Sequence, residues 1–501
     1  MTTGAITPKL VTLAWPLVAG NLLQTFYNLA DMFWVGRVSA EAVAAVSLMF
    51  PTSWLFVSTA MGITAAAVAL VSQHIGAGNE READNVVAQT ILLALALAFV
   101  LALGGYLFRG PLVSLIGAQG RVYTEALAYI EVIFLSIPFT FLFFAFRAVL
   151  RAAGDTKTAM WLVVVSAGLN VVLDPFLILG WAGFPALGTQ GAAIATLISR
   201  ALAAVVGVYI LLDGGWGARL RLGDLRPDWP VLRKLVAVGY PATGDGLARS
   251  LAAVVMAGLV ARFGPVATAA YGIGIRLMSV SWTVSGAVGQ AAATGVGQNL
   301  GAKTPERAAE VTWKATLGTM GILFALGALV FAFPATAMRV FIDDAAVVAA
   351  GVELLRIIAP FWALFGGLMV IQGAFRGAGD TKVAMILSLL SRWVFRIPAA
   401  WLLAYYLTFA ETGLWWAMTF SSVAAFVVGV VWFQRGTWQE GILDDGESRV
   451  TPPAADVPPD GDADDDGVGA SGGESVGTGD SEGVGAGEGE SVGASDSPAD
   501  S

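Results

Sequence analysis

Cysteine is absent from this chain of 501 residues, and histidine occurs once, at His74. Without thiols there is no disulfide, no thiolate metal site and no cysteine nucleophile, and a lone imidazole excludes a His-rich metal centre. Lysine is scarce, six against 22 arginines. Charged residues make up only 13% of the chain. The G-x-x-x-x-G-K-[ST] phosphate loop is missing, so ATP is not expected to drive this protein directly. The short segment before the first apolar run does not read as a cleaved signal peptide, because that run is too long and lacks an A-x-A site.

What the chain has is apolar residue in long runs: 56% of residues are hydrophobic and mean hydropathy is +0.73. Soluble domains average about 45–50% apolar even with glycine counted. A run of about 18 or more residues almost free of charge reads as a bilayer-spanning helix. Twelve such runs lie near 10–36, 44–73, 86–108, 123–147, 158–181, 189–212, 232–261, 269–296, 310–333, 348–374, 383–409 and 412–434. Only helices or closed barrels satisfy their backbone in lipid, and the alternating segments of about ten residues that mark a barrel are not present.

The formal net charge of −9 divides unevenly. From Glu440 onward there are 17 acids and one base, which gives −16; the remaining 20 acids and 27 bases give +7. With the N-terminus inside, the inner ends and loops hold sixteen Lys and Arg against six outside. That asymmetry puts both termini in the cytoplasm, as an even helix count requires. The Gly, Ser, Asp, Glu and Pro-rich tail has too little apolar surface to fold. Few lysines and an acidic tail point to a halophilic archaeal source, since dense negative charge maintains solubility where salt screens it.

An internal repeat organises the spans. Phe146–Met160 (FRAVLRAAGDTKTAM) matches Ile371–Met385 (IQGAFRGAGDTKVAM) 225 residues later. The same offset pairs VSQHIGAG from Val71 with VGQNLGAK from Val296, Pro16 with Pro241, and AEAVAAVSL from Ala40 with PVATAAYGI from Pro265. Each half holds six helices, so both have the same orientation and are related by an axis along the membrane normal. The expected fold is an all-α integral membrane protein of twelve transmembrane helices in two six-helix lobes. The lobes span 1–215 and 231–437, joined by a loop at 216–230 and followed by a disordered acidic tail at 438–501.

The polar residues inside the spans carry the chemistry. An ionisable group at mid-membrane costs roughly 2.5–3.5 kcal/mol on insertion scales and is usually kept for function. Asp31 ends a stripe on the first helix that includes Asn21, Gln24 and Asn28, with Tyr27 beside it. Asp174 lies on the fifth helix with Asn170 one turn before it and Ser166 one turn earlier, and Thr196 lies on the sixth. Two carboxylates with amide and hydroxyl oxygens suit a hard monovalent cation, Na⁺, and equally suit a proton. Asn21, Gln24, Asn28, Arg392 and Arg396 are candidates to line a substrate cleft. Pro16 removes a backbone hydrogen bond inside the first helix and is expected to bend it. Asp245 and Arg249, one turn apart, are expected to neutralise each other. The two G-D-T-K turns should cap new helices through their Asp and form ion pairs with Arg151 and Arg376.

These residues together resemble the multidrug and toxic compound extrusion family (MATE), in its DinF-like prokaryotic branch. The resemblance rests on the doubled R-x-A-G-D-T-K motif, the P-x14-D-x2-W-V-G pattern from Pro16, V-x-Q-x-x-G-A at Gln73, N-x3-D-P at Asn170 and G-A-A-x-A-T at Gly191. It covers about residues 8–436. It implies efflux of amphipathic, often cationic drug-like compounds by antiport against Na⁺ or H⁺, with no cofactor and no catalysis. It carries a cation site over to Asp31, Asn170, Asp174 and Thr196, with Tyr27 nearby. A cation site in the C-terminal lobe is not expected, because the tenth helix has no acid and Asp245 has a basic neighbour. The rival readings are a lipid-linked oligosaccharide flippase of the same superfamily and an intramembrane lipid-modifying enzyme. The expected partners are small molecules and the lipid bilayer, with no nucleic acid. The expected setting is a multi-pass monomer in the cell membrane.

Overall fold

Apolar length, broken at polar turns, becomes a set of membrane-long helices. The computed structural model describes residues 1–215 and 217–443, apart from the side chains of residues 51 and 54. Twelve long helical rods follow one another. They are α1 Ile6–Val35, α2 Ala40–Gly76, α3 Glu80–Leu107, α4 Gly120–Ala153, α5 Thr156–Leu179 and α6 Gly188–Asp213, then α7 Trp229–Ala261, α8 Pro265–Gly301, α9 Pro305–Ala332, α10 Ala345–Ala378, α11 Thr381–Tyr406 and α12 Ala410–Gln434. Eleven are long and apolar enough to cross a membrane by length and composition alone. The other is α8, whose C-terminal half is rich in glycine, alanine and amides and is buried against its neighbours. The first six rods form an N-lobe and the last six a C-lobe, and no strand occurs among the described residues.

The repeated A-G-D-T turn shows how sequence punctuates the helices. Gly154 (φ 96°) and Gly379 (φ 88°) end α4 and α10 in the left-handed region, where a side chain is strained. The next residue starts the following helix. Asp155 accepts from the Thr158 N–H at 2.9 Å, and Asp380 accepts from the Val383 N–H at 3.3 Å. The expected ion pairs of these turns with Arg151 and Arg376 do not form. Arg151 instead donates to Gln290 on α8, and Arg376 donates to Asp245 on α7. Arg151 and Arg376 point to neighbouring helices, where α8 and α7 offer partners, while Asp155 and Asp380 turn an oxygen to the N–H groups of the helix that follows.

The lobes meet at the end of the bundle that carries the N-terminus and the segment after α12 up to residue 443. There Ile6 and Leu10 of α1 pack with Ala292, Val311 and Val370, and Leu13 and Leu17 pack with Ala287 and Ala291. Ala67 and Val68 of α2 meet Ala148 and Ala293. Small residues allow backbone to approach backbone, as at membrane helix crossings. A Cβ on Gly76 would strike the backbone of Gln298, and one on Gly301 would strike the backbone of Gln73. Towards the opposite end the large apolar clusters stay within one lobe. One holds Met49, Ile130 and Phe134, and another holds Met256, Leu355, Trp362 and Trp415. The lobes are thus joined at one end and hold separate cores at the other.

The loop between lobes is strapped to the start of α3. Arg81 pairs with Asp224, and Asp84 accepts from the Arg219 N–H and from Arg221 Nε, both at 2.9 Å. Gln89 Nε2 donates to the carbonyls of Asp224 and Arg226 at 2.9 and 2.8 Å. Beyond α12, the chain remains packed past the point where the disordered tail was expected to start. Trp438 stacks on Phe433 with ring centroids 4.5 Å apart, and the Ile442 N–H donates to Gln73 Oε1 at 2.9 Å. Trp438 and Ile442 are apolar residues with a surface to cover, whereas the sequence from residue 444 onward is mostly Gly, Ser, Asp and Glu. The acidic remainder of the expected tail, 444–501, lies outside the described residues.

Candidate functional site

The expected site residues of the N-lobe converge. Asp31 and Tyr27 come from α1, Asn170 and Asp174 from α5, and Thr196 from α6. Helical spacing explains the set: Tyr27 and Asp31 are one turn apart, as are Asn170 and Asp174. Tyr27 Oη and Thr196 Oγ1 share a hydrogen bond at 3.4 Å. Thr196 Oγ1 also donates to the Ala192 carbonyl at 3.1 Å. With its amide oriented to suit its neighbours, Asn170 Nδ2 donates to Asp174 Oδ2 at 3.2 Å, and Oδ1 accepts from the Thr196 N–H at 3.0 Å. The reverse orientation would face oxygen against oxygen.

Burial makes this arrangement energetically demanding. Asp174 is fully buried and Asn170 nearly so. Asp31 Oδ1 is buried without any hydrogen-bond partner. Asp174 lies close enough to Asp31 to feel its charge. A buried carboxylate oxygen with no donor is costly unless something positive reaches it. The donor set is two carboxylates, one amide and two hydroxyls. No group of three or more His, Cys, Asp or Glu that could hold a metal occurs among the described residues. Such oxygens suit Na⁺ or a proton better than a transition metal. A small pocket beside them is lined by Tyr27, Ser166, Ala167, Asn170, Thr196, Ser199 and Arg200.

Two residues at this site were not foreseen. Tyr129 on α4 is near enough to feel the charges of Asp31 and Asp174, and it packs against Val35, Ile178 and Ala192. Nothing in its local sequence marks it. Arg200 on α6 lies over the ring of Phe143 at 4.1 Å and donates to Gln24 Oε1 at 3.3 Å. The signal for Arg200 was available, since it is a charge inside a span by the same rule that marks Asp31.

The remaining candidates scatter. Gln24 turns to Arg200 and, at 3.5 Å, towards Asn28, which is exposed. Asn21 is half-buried. Pro16 is buried in α1 between the site and the interlobe contacts of Leu10 and Leu13. Arg392 and Arg396 lie in the other lobe, on a π-helical stretch of α11 spanning Leu390–Arg396. Each binds a hydroxyl rather than a carbonyl: Arg392 donates to Ser388 Oγ at 2.7 Å and Arg396 to Ser421 Oγ at 3.0 Å. The Asp245–Arg249 pair forms as expected, at 2.8 and 2.6 Å, and Arg376 joins it at 3.0 Å.

A third constellation ties the lobes together. Gln73 Nε2 on α2 donates to the carbonyls of Gly377 and Ala378 on α10, both at 3.1 Å. Its repeat mate Gln298 on α8 donates to the Ala152 carbonyl on α4 at 2.9 Å. The V-x-Q-x-x-G-A motif of each lobe therefore grips the helix end preceding the A-G-D-T turn of the other.

The description MatE belongs to a family model that matches residues 16–176 and again 241–402, two matches that begin 225 residues apart. The chain is 31% identical over 412 residues to the probable multidrug resistance protein YoeA of Bacillus subtilis, covering 80% of this chain and 87% of that one. It is 26% identical over 435 residues to the probable multidrug resistance protein NorM of Thermotoga maritima, covering 87% and 94%. The crystal structure of a MATE protein in complex with MaL6 superimposes with a TM-score of 0.81 at 25% identity, covering 86% of this chain and 96% of that one.

Proposed function

The chain belongs to the MATE family of membrane transporters and is not an enzyme, and from that premise we propose that it is a multidrug efflux antiporter, exporting amphipathic drug-like compounds in exchange for Na⁺ or H⁺. The observation that carries the coupling reading is the partnerless, buried Asp31 Oδ1 beside Asp174. A cation between α1 and α5 supplies the missing positive charge and draws the two helices together. Asn170, Thr196 and Tyr27 complete its oxygen shell. Na⁺ is favoured over H⁺ by the neutral oxygens in that shell, which a proton would not need.

The same helix links ion and lobes. The outer half of α1 carries Tyr27 and Asp31, and its inner half carries Ile6, Leu10, Leu13 and Leu17 against the C-lobe. Pro16 lies within the last turn of these contacts, between Leu13 and Leu17 and on the near side of Tyr27 and Asp31. A bend there lets ion binding at one end alter the interlobe contact at the other. The end joined by Gln73 and Gln298 is read as the cytoplasmic gate, with both termini inside and a multi-pass monomer in the cell membrane. Alternating access is then the exchange of this closed gate for an open one.

Reconstituted vesicles test this directly. Efflux of fluorescent amphipathic dyes is measured under imposed Na⁺ or H⁺ gradients for the wild type and for Asp31→Asn. Gradient-driven efflux that Asp31→Asn abolishes supports the reading and identifies the ion. Efflux that survives in Asp31→Asn removes the coupling ion from this site.

A further inference from the structure

The two carboxylates of the N-lobe have a fixed positive charge for a neighbour. Arg200 on α6 lines the same small pocket as Tyr27, Asn170 and Thr196, and Thr196 lies one turn before it. Its guanidinium is near enough to interact with the Tyr27 hydroxyl. Tyr27 in turn feels the charges of Asp31 and Asp174.

No direct partner cancels the charge of Arg200. The side chain is 8% exposed; Nη2 donates to the neutral Gln24 Oε1 and Nη1 is buried with no hydrogen-bond partner. The repeat shows the alternative. In the C-lobe, Arg249 stands 225 residues after Gln24 and is held by Asp245, one turn before it. The N-lobe position that matches Asp245 is Gly20, one turn before Gln24. An acid at that position would have neutralised Arg200. Without one, its charge acts on Asp31 and Asp174, in an interior where a unit charge is felt over several ångströms.

Size does not tell Na⁺ from Ca²⁺. The two ions have nearly the same radius, and carboxylates with amide and hydroxyl oxygens are a Ca²⁺ donor set too. Charge separates them. Attraction to a site grows in proportion to the charge of the ion, whereas the cost of stripping its water grows with the square of that charge. Two ionised carboxylates and one guanidinium leave a single net negative charge. The guanidinium takes twice as much attraction from a divalent ion as from a monovalent one. We propose that Arg200 makes the N-lobe site selective for a monovalent cation over Ca²⁺. The inference rests on the reading of Asp31 and Asp174 as the coupling site, and adds what sets its ion preference.

The experiment measures binding and needs no transport. Radiolabelled Na⁺ is bound to the full chain in detergent, at mildly alkaline pH so that protons compete least, and displaced by unlabelled Na⁺ or by Ca²⁺ at constant ionic strength. Site binding is the part that Asp31→Asn removes. Ca²⁺ is expected to displace it weakly from the wild type. Arg200→Gln is expected to raise the potency of Ca²⁺ relative to Na⁺ about tenfold or more, the effect of one unit charge at several ångströms inside a protein. Arg200→Lys keeps the charge and loses the planar fork, so it should retain the wild-type preference, whereas a role in packing alone would alter both variants alike. A thermal midpoint near that of the wild type shows that each variant folds. Ca²⁺ that displaces Na⁺ from the wild type as readily as Na⁺ itself overturns the proposal. So does a preference unchanged in folded Arg200→Gln, or shifted equally in Arg200→Lys, and these results leave the coupling site standing. Wild-type protein without Asp31-dependent Na⁺ binding removes Na⁺ from this site and overturns the proposal with it.

Discussion

Removing the amide of Gln73 should open the end of the bundle where the lobes meet. The side chain is 1% exposed and makes three hydrogen bonds, to Gly377, to Ala378 and from Ile442. In Gln73→Leu the volume is nearly kept, while two carbonyls and one N–H lose their partner. In the closed state they stay buried; in an open state water reaches them. At about 0.5–1.5 kcal/mol net per bond, the closed state loses about 1.5–4.5 kcal/mol relative to the open one. With about 1.4 kcal/mol per decade, the open population rises between about tenfold and a thousandfold. The absence of cysteine makes the assay simple, because spin labels at Ala77→Cys and Ala302→Cys meet no background thiol. These positions cap α2 and α8 on opposite lobes. Electron–electron distance measurements should show a single short population in the parent and a longer one in Gln73→Leu. Gly76→Ala, whose added carbon strikes the Gln298 backbone, should act in the same direction. Distances unchanged in Gln73→Leu, in Gly76→Ala and in the double Gln73→Leu, Gln298→Leu variant would refute the reasoning.

Two other outcomes are expected. Asp245→Asn leaves Arg249 and Arg376 buried without their counter-charge, and losing one partner of a buried pair typically costs about 3–5 kcal/mol. The thermal midpoint in detergent should fall markedly, and an unchanged midpoint would show that water or other groups already solvate those arginines. Asp224 lies in the interlobe loop, and the Arg81 guanidinium holds its carboxyl below the ordinary value of 3.8. A carboxyl lowered in this way adds stability that is complete above the ordinary value and is lost as pH falls through the lowered one. Hydrogen exchange of the loop amides, corrected for intrinsic rate, should therefore show constant protection from neutral pH down towards 3.8 and release only in stronger acid. Release well above that value would mean the pair does not hold the loop.

Sequence alone determined the architecture and five of the seven residues that meet at the candidate site. A bilayer forces a span to be long, apolar and helical, so spans can be counted from composition, and an offset that holds at four places yields two lobes of the same orientation. Asp31, Asn170 and Asp174 were legible because ionisable and amide groups are rare in such spans and fall at helical spacing. Tertiary structure decided what helical periodicity within one segment cannot encode. Tyr129 joins the site only because α4 packs beside α5 and α6. Arg151 and Arg376 leave the adjacent Asp155 and Asp380 for partners on α8 and α7, which packing brings against the ends of α4 and α10. Gln73 and Gln298 were visible as motif residues, yet their reciprocal grip depends on two lobes brought together at one end. Which residues share a span follows from local hydropathy, and which residues meet across spans follows from how the helices pack.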